Sequence, residues 1–402
     1  MSSSQAVPLK KVLTLNTMVF YGLGTIIGAG IYVLIGEIAN EAGGWTPLAF
    51  VAAAVIASFT GLSYAELAGR YPRSAGEAVY LEQAYGQQWL SQSVGWLVVL
   101  TGLVSGATLL KGFSGYFITI FGGDPALIIT LTLVALCGLA CSGVKQSVGF
   151  AVAVTWLELG GLLLVLLVSV DGLLIQENWQ QWLNSLKTFS WTGITTATFI
   201  AFYAFIGFED MVNMAEEVQD AASILPKAII IALLSATIIY VIVGLVAVVV
   251  VPATALATTS APLMTVVAQV TWFPLWLMSG VSLIAIINGA MVQLLMAPRV
   301  IYGISGQYRY LNFLAKIHPR RQTPIVATLL AAGLIMIFAL WLPLAQLAKL
   351  TSTIILCLFI AINSALITIK HRQTYSGFQV AMMIPVLGVF TASLLLVLQW
   401  VL

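Results

Sequence analysis

Charged residues are what this sequence has least of. Asp, Glu, Lys and Arg make up 7% of its 402 residues, whereas soluble domains carry about 25%. Apolar residues account for 60% of the chain, and the mean hydropathy is +1.04. The composition therefore predicts an integral membrane protein, most of which lies in the hydrocarbon of a lipid bilayer.

Cysteine and histidine are also scarce. Cys137, Cys141 and Cys357 fall inside apolar stretches without metal-ligand spacing, so we expect packing roles and no disulfide. His318 and His371 lie in basic loops. No His/Glu cluster, partnered serine nucleophile or nucleotide motif stands at membrane depth. We expect neither an enzyme nor an ATP-driven pump, and no cofactor, metal or nucleic-acid partner.

Apolar runs of the length that crosses a bilayer, about 20 residues, occur repeatedly along the chain. The start, "MSSSQAVPLKK", lacks a small-residue cleavage site after a short apolar core, so no removable signal peptide is expected. No soluble segment is long enough to fold alone. We predict eleven spans, at roughly 13–36, 45–69, 93–121, 126–142, 147–172, 193–214, 227–251, 272–300, 323–342, 346–369 and 377–400.

The basic residues predict the orientation, because Lys and Arg concentrate in cytoplasmic loops. With the N-terminus in the cytoplasm, Lys187 alone lies outside, and Lys111 and Lys349 fall within spans. Eleven spans then leave the C-terminus outside, and we expect a multi-pass protein of the cell (inner) membrane. The basic residues on the cytoplasmic side are Lys10, Lys11, Arg70, Arg73, Lys145, Lys227, Arg299, Arg309, Lys316, Arg320, Arg321, Lys370 and Arg372.

Two spans contain residues that disfavour a continuous helix. "GLGTIIGAGIYVLIG" (22–36) carries five glycines in the first span, where each lowers helix stability. "TFIAFYAFIGFEDMVNMAEEV" (198–218), about 180 residues later, turns acidic while still at membrane depth. Because an odd number of spans separates them, the second set enters from the opposite face. This predicts an inverted repeat, with halves at about 13–172 and 193–369 and an extra helix at about 377–400.

Breaks of this kind predict a binding site for a zwitterion. Unwinding around Gly24 to Gly30 frees amide N–H groups beside a half-helix N-terminus, which favours a carboxylate. Unwinding around residues 205–208 frees carbonyls that can accept from an ammonium group. Taken alone, the first glycine cluster could instead serve close helix packing, since Gly24 and Gly28 form a GxxxG pair.

Four blocks of the chain resemble the amino acid–polyamine–organocation (APC) superfamily of permeases. They are "GLGTIIGAGIYVLIG", "GLSYAELAGRYPRSAGEAVYLEQAYG" (61–86), "AFYAFIGFEDMVNMAEEV" with "LPKAI", and "INGAMVQLLMAPRVIYGIS" with "LAKIHPRRQTP". The resemblance covers most of the chain and implies an all-α membrane fold of leucine-transporter type, with five-plus-five inverted repeats and helices one and six broken. Family members usually carry a Gly and a Pro in the stretch here written "SGQYRYLNFLA" (305–315), a Pro after "EEV", and twelve helices. In this chain neither 305–315 nor "QDAAS" (219–223) contains a Pro, and eleven helices are predicted.

The resemblance also implies roles for individual residues at the two breaks. Backbone N–H groups would meet the substrate's carboxylate, and backbone carbonyls would meet its amino group. The N–H groups are those of Ile26, Ile27, Gly28, Ala29 and Gly30, and the carbonyls are those of Tyr203, Ala204 and Ile206. The side chain of Tyr203 would in addition cover the bound substrate as a gate, although an ordinary core aromatic is the alternative.

Ionisable residues inside spans are costly, so each is a functional hypothesis. Glu158, near the middle of the fifth span, could carry the coupled proton, bind a cation such as sodium, pair with a lysine, or be purely structural. Lys111 could snorkel outward, line the outer vestibule or pair with Glu158. Glu66 and Glu209 could pair with inner basic residues such as Arg299 and form an inner gate.

These features together predict a secondary-active amino acid transporter that works by alternating access. We expect proton-coupled symport of neutral amino acids, because no acidic residue stands at the predicted pocket positions. Because Lys111 is a cation within a span, an acidic substrate is a further hypothesis, as is repulsion of cations. An amino acid/amine exchanger without net proton flux and a non-transporting amino acid sensor are the alternatives.

Overall fold

The chain folds almost wholly into helices. The computed structural model describes residues 11, 13–28, 30–73, 76–141, 148–270, 273–305, 314 and 324–401. Helix accounts for 85% of the fold, and within these residues the sole β-type pairing is an isolated bridge between Leu13 and Val218. The all-helical prediction is therefore confirmed.

Long helices alternate with short ones at the predicted loops. Two 3-10 helices, Gly43–Trp45 and Glu209–Glu217, join them. The α-helices are α1 Leu15–Ile27, α2 Gly30–Ala42, α3 Thr46–Arg70, α4 Gly76–Tyr85, α5 Gln88–Phe121, α6 Pro125–Cys141, α7 Val148–Val168, α8 Val170–Leu174, α9 Gln176–Ser185, α10 Trp191–Tyr203, α11 Ala221–Val250, α12 Ala253–Ala257, α13 Pro262–Val267, α14 Leu275–Ser305, α15 Ile325–Trp341, α16 Leu344–Arg372 and α17 Met383–Val401.

Several of these helices are membrane-spanning segments by length and composition. Among the described residues, six stretches are long and apolar enough to cross a bilayer, and they run over α2–α3, α5, α7–α8, α11, α14 and α16. Four shorter apolar helices, α1, α6, α15 and α17, accompany them. Each predicted span overlaps one of these helices or α10, although α17 begins at Met383 rather than near 377. The protein is thus a multi-pass membrane protein.

Small residues allow the long helices to approach closely, as is usual where lipid cannot drive association. Along the α5–α14 contact, a Cβ placed on Gly102 would lie 3.2 Å from Oε1 of Gln293. Along the α3–α11 contact, a Cβ on Gly244 would lie 3.0 Å from the ring of Phe50. A side chain at either glycine would require its neighbour to shift by a few tenths of an ångström.

A buried polar cluster holds α16 against α3 and α17. Nδ2 of Asn363 donates to Oγ1 of Thr60 at 2.8 Å, and its Oδ1 accepts from Oγ of Ser63 at 2.6 Å. Gly388 of α17 lies directly over this amide, and a Cβ there would be 2.5 Å from Oδ1. The cluster thus leaves no space for a side chain at Gly388.

We predict that Gly388→Ala destabilises the protein, because its methyl group would displace Asn363 from two hydrogen bonds. Over-packing of this kind costs about 1–3 kcal/mol. Thermal unfolding of the detergent-solubilised protein should show a lower midpoint. Gly138→Ala is the matched control, since Gly138 is exposed on α6 and a Cβ there meets nothing within 4 Å. Equal midpoints for the two variants would contradict the packing described.

Candidate functional site at the two helix breaks

The first break separates α1 from α2. Helix α1 ends at Ile27, and the N–H of Gly28 donates back to the carbonyl of Gly24 at 3.2 Å. Helix α2 starts at Gly30, and Ala29 lies outside the described residues. Ile26 and Ile27 are both buried. The glycine-rich stretch therefore interrupts a helix, as its composition predicts.

The second break follows α10. The helix ends at Tyr203, and residues 204–208 form turns that lead into the 3-10 helix Glu209–Glu217. Gly207 has a φ of +127°, a conformation that side-chain-bearing residues rarely adopt, and its N–H donates to Oε2 of Glu209 at 2.8 Å. Glu209 thus satisfies a backbone group that the break leaves free.

The two breaks lie against each other. A Cβ on Gly30 would stand 2.7 Å from Cα of Ala204, and one on Gly207 would collide with the backbone carbonyl of Thr25. Sequence reasoning predicts breaks at both places, and the structure brings them into direct contact. The two segments predicted to bind the carboxylate and the amino group therefore lie side by side.

Tyr240 of α11 joins the two breaks, a role that sequence reasoning missed. Its hydroxyl lies 2.7 Å from the carbonyl of Ile26 and 2.8 Å from the carbonyl of Ala204, so one buried donor is shared between two freed carbonyls. A hydroxyl within the long apolar run of α11 was the available signal, because such a group needs a partner in hydrocarbon.

Tyr203 reaches across the site to α5. Its hydroxyl lies 2.8 Å from Oγ of Ser105, and the ring is 5% exposed. The contact links the end of α10 to the helix opposite. Sequence reasoning selected Tyr203 but did not identify Ser105 as its partner.

Glu158 of α7 lies close to the first break. Its side chain is fully buried, and neither carboxyl oxygen has a hydrogen-bond partner within the part of the chain that the structure describes. Asn288 of α14 faces the carboxyl group without meeting hydrogen-bonding geometry. Tyr32 of α2 donates to the backbone carbonyl of Glu158 at 2.7 Å, which fixes α7 beside the broken helix. An unpartnered buried carboxyl group is expensive to keep and is therefore a functional candidate.

Lys111 lies apart from Glu158. Its ammonium donates to the carbonyls of Ala339 and Leu342, at 3.1 and 2.6 Å, and so caps the C-terminus of α15. A cation is favourable there because the last carbonyls of a helix carry partial negative charge. The structure therefore contradicts a pairing between Lys111 and Glu158.

Glu66 finds its partners on α3 and α16. Its carboxylate accepts from Nη2 of Arg70 at 2.6 Å and from Nζ of Lys370 at 2.8 Å. The side chain of Arg299, the partner suggested by sequence, lies outside the described part of the structure. Glu66 and Glu209 are not joined to each other by any contact among the described residues.

A cleft opens beside the second break. It holds about 470 Å³ of free space, including its open mouth, between α5, α14 and α16, and Ile206 forms part of its wall. The lining is mostly apolar but includes the carboxyl groups of Glu77, Glu209 and Asp210. Glu77 stands on α4, outside the spans, and burial raises its pKa to about 7, with a further increase from Asp210 and an opposing hydrogen bond from Tyr64.

We predict that Tyr240→Phe destabilises the protein, because the buried carbonyls of Ile26 and Ala204 both lose the hydroxyl group that donates to them. The cost should be about 1–3 kcal/mol, visible as a lower midpoint of thermal unfolding. Tyr80→Phe is the matched control, since Tyr80 is also fully buried but its hydroxyl has no partner. If both variants have the same unfolding midpoint as the wild type, the shared hydrogen bond contributes nothing to stability.

We also predict a pH dependence of stability that Glu77 causes. Between its ordinary pKa of 4.5 and its folded pKa of about 7, the unfolded chain loses a proton that the folded chain keeps. Stability therefore falls as pH rises through this range, by up to about 3 kcal/mol, and then levels off. Glu77→Gln should flatten that part of the curve of unfolding midpoint against pH. Glu82→Gln, an exposed site on the same helix, should leave the curve unchanged.

Comparison with known proteins identifies the family. Residues 13–402 match the family model described as amino acid permease. The branched-chain amino acid permease BcaP of Bacillus subtilis is 29% identical over 393 residues, which cover 91% of this chain and 82% of that protein.

Two further relatives are a plant protein and a second bacterial one. The cationic amino acid transporter 3, mitochondrial, of Arabidopsis thaliana is 28% identical, with 90% of this chain matching 63% of its length. The methylthioribose transporter of Bacillus subtilis is 25% identical, with coverage of 98% and 89%. The chain thus spans less than two thirds of the Arabidopsis protein but most of both bacterial ones. With the family model matching nearly its whole length, this chain belongs to the amino acid permease family.

Proposed function

We propose that this permease is a secondary-active transporter that carries neutral amino acids in symport with protons, by alternating access to a site between the two helix breaks. The observation that carries the proposal is the contact between the breaks at Gly30 and Ala204. Backbone groups freed in a membrane interior need partners, and a bound zwitterion supplies both kinds.

Each end of the substrate has a set of backbone partners in this proposal. The N–H groups of residues 26–30 receive the carboxylate, helped by the N-terminus of α2. The carbonyls of Tyr203, Ala204 and Ile206 receive the ammonium group. Ala204 already accepts from Tyr240, but a carbonyl has two lone pairs and can accept once more.

The element order supports an inverted repeat in the proposed architecture. The first half would comprise α1–α2, α3, α5, α6 and α7, and the second would comprise α10 with its 3-10 helix, α11, α14, α15 and α16, with α17 as an eleventh span. Each half then begins with its broken helix, which is the arrangement expected where a substrate site lies near the midplane. The N-terminus would be cytoplasmic and the C-terminus outside the cell membrane.

Glu158 is the proposed coupling residue. A buried carboxyl group without a partner favours its neutral form, so it can hold a proton in one conformation and release it when water or a cation approaches. Its place beside the first break would let substrate binding and proton binding favour the same conformation. An ionised Glu158 that binds sodium is the competing version of this proposal.

Gates would stand on both sides of the site. Tyr203, bonded to Ser105 of α5, would close the site from the outside, and the 3-10 helix that carries Glu209 would move at the inner cleft. Arg299 is kept as a proposed partner at that inner gate. Lys111, bound to the end of α15, would border the outer vestibule without entering the site.

Neutral amino acids are the proposed substrates because the residues at the breaks are apolar or small. The similarity to a branched-chain amino acid permease favours the same class. Cationic amino acids are the second candidate, because Glu77, Glu209 and Asp210 line the cleft and several relatives are cationic amino acid transporters. Both classes belong in the first assay.

We predict that liposomes containing the protein accumulate radiolabelled L-leucine when an inward proton gradient is imposed. Glu158→Gln should reduce gradient-driven uptake by about tenfold or more, because an amide cannot carry the proton. Glu177→Gln, on the exposed helix α9, is the matched control and should behave as the wild type.

Several outcomes would contradict parts of the proposal. Uptake of L-lysine but not L-leucine would favour the cationic class. Uptake that requires internal amino acid and that neither pH nor Glu158→Gln changes would indicate an exchanger. Uptake that a sodium gradient stimulates would indicate that sodium, and not the proton, is the coupling ion. Binding of leucine without uptake would indicate a sensor.

A further inference from the structure

We propose that the buried ion-pair cluster around Glu66 is a permanent joint rather than a gate, and that it makes α16 move with α3 during transport. The cluster comprises Glu66, Arg70, Lys370 and the backbone of Val380. This inference extends the proposed alternating-access function, because it specifies which helices remain together when the site changes its exposure.

The carboxylate of Glu66 is fully satisfied. It accepts from Nε and Nη2 of Arg70, from Nζ of Lys370 at 2.8 Å to each oxygen, and from the N–H of Val380 at 2.8 Å. Lys370 also donates to the carbonyl of Val380 at 2.8 Å. Three segments, namely α3, the end of α16 and the connection 373–382, therefore meet at one buried anion.

Opening such a cluster would be costly. The side chain of Glu66 is fully buried, and those of Arg70 and Lys370 are 4% and 10% exposed. Separating partners in a buried pair leaves an uncompensated charge in a poorly solvated place, which is more destabilising than the pair itself is stabilising. A gate that opens in every transport cycle would need partners that water can replace, and these are shielded from water.

Contacts around the cluster hold the same segments together. The hydroxyl of Tyr71 donates to Oε1 of Gln373 at 2.6 Å, and the guanidinium of Arg70 lies 4.9 Å from the ring centre of Tyr375. Arg372 donates to the carbonyl of Ala84 in α4 at 2.8 Å. The connection 373–382 is thus fastened to the end of α3, and the end of α16 is fastened to α4.

A second, deeper attachment lies two turns along α16. Asn363 binds Thr60 and Ser63 of α3 inside the bundle, in contacts independent of any charge. With Lys370 bound to Glu66, α16 is held to α3 at two levels. Two attachments on one pair of helices prevent both sliding and pivoting between them.

The joint has a consequence for the cleft. Ile355 and Leu358 of α16 form part of the cleft wall, between one and just over two turns from Asn363. When α3 moves, the attached α16 must carry these side chains with it. The cluster at Glu66 therefore positions a wall of the cleft without contacting the substrate.

A cross-link between Tyr71 and Gln373 tests the joint, because these side chains touch and both lie at accessible positions. Cys137, Cys141 and Cys357 are first replaced by Ser, and Tyr71→Cys is then combined with Gln373→Cys. We expect oxidation to cross-link the pair while leaving leucine uptake in liposomes within about twofold of the reduced protein. A loss of about tenfold or more that dithiothreitol reverses would show that the segments separate, and would overturn the proposal. Each single-cysteine variant controls for oxidation alone.

A spin-label measurement keeps the test independent of uptake. Nitroxide labels on the same two cysteines should give one narrow distance distribution, unchanged between about pH 5 and pH 8 and by added L-leucine or L-lysine. A second population displaced by more than about 5 Å, or failure of both oxidation and a short bifunctional thiol reagent to link the pair, would overturn the joint. Absence of uptake by the wild type would instead contradict the proposed function, and the label distances would still decide the joint.

Discussion

The hydrogen bonding of interrupted backbone in an apolar interior is the constraint on which the rest of this structure depends. A continuous helix satisfies its own polar groups, and a broken one does not. Here the breaks near Gly28 and after Tyr203 lie against each other, and the hydroxyl of Tyr240 serves a carbonyl from each. The glycines at positions 30 and 207 are required because the backbones approach too closely for a side chain.

Two buried glutamates show how the surroundings decide what a carboxyl group does. Glu66 accepts hydrogen bonds from two cationic side chains and from one backbone N–H, at a point where three segments meet. Glu158 is buried to the same extent, but neither of its carboxyl oxygens has a hydrogen-bond partner among the described residues. Residue type and burial are alike, so the difference lies in what the neighbouring segments present to each carboxyl group.

Much of this arrangement could be predicted from sequence because it depends on local composition. Apolar run length predicted where the long helices lie, and glycine content and polarity predicted both interruptions. The partners of the charged groups could not be predicted in that way. Lys111 binds the end of α15, more than two hundred residues further along the chain, and Lys370 reaches Glu66 over a similar separation. Such contacts depend on which helices become neighbours, and that information is not in any one segment.

The bridge between Leu13 and Val218 restricts how the two broken helices can bend. The N–H of Leu13 donates to the carbonyl of Glu217, and the carbonyl of Leu13 accepts from the N–H of Gln219. The segment just before α1 is therefore hydrogen-bonded to the end of the 3-10 helix. These two backbone hydrogen bonds join the broken helices at a second place, apart from the contacts at the breaks themselves. Held at two places, neither half-helix can tilt far without moving the other or breaking one set of contacts.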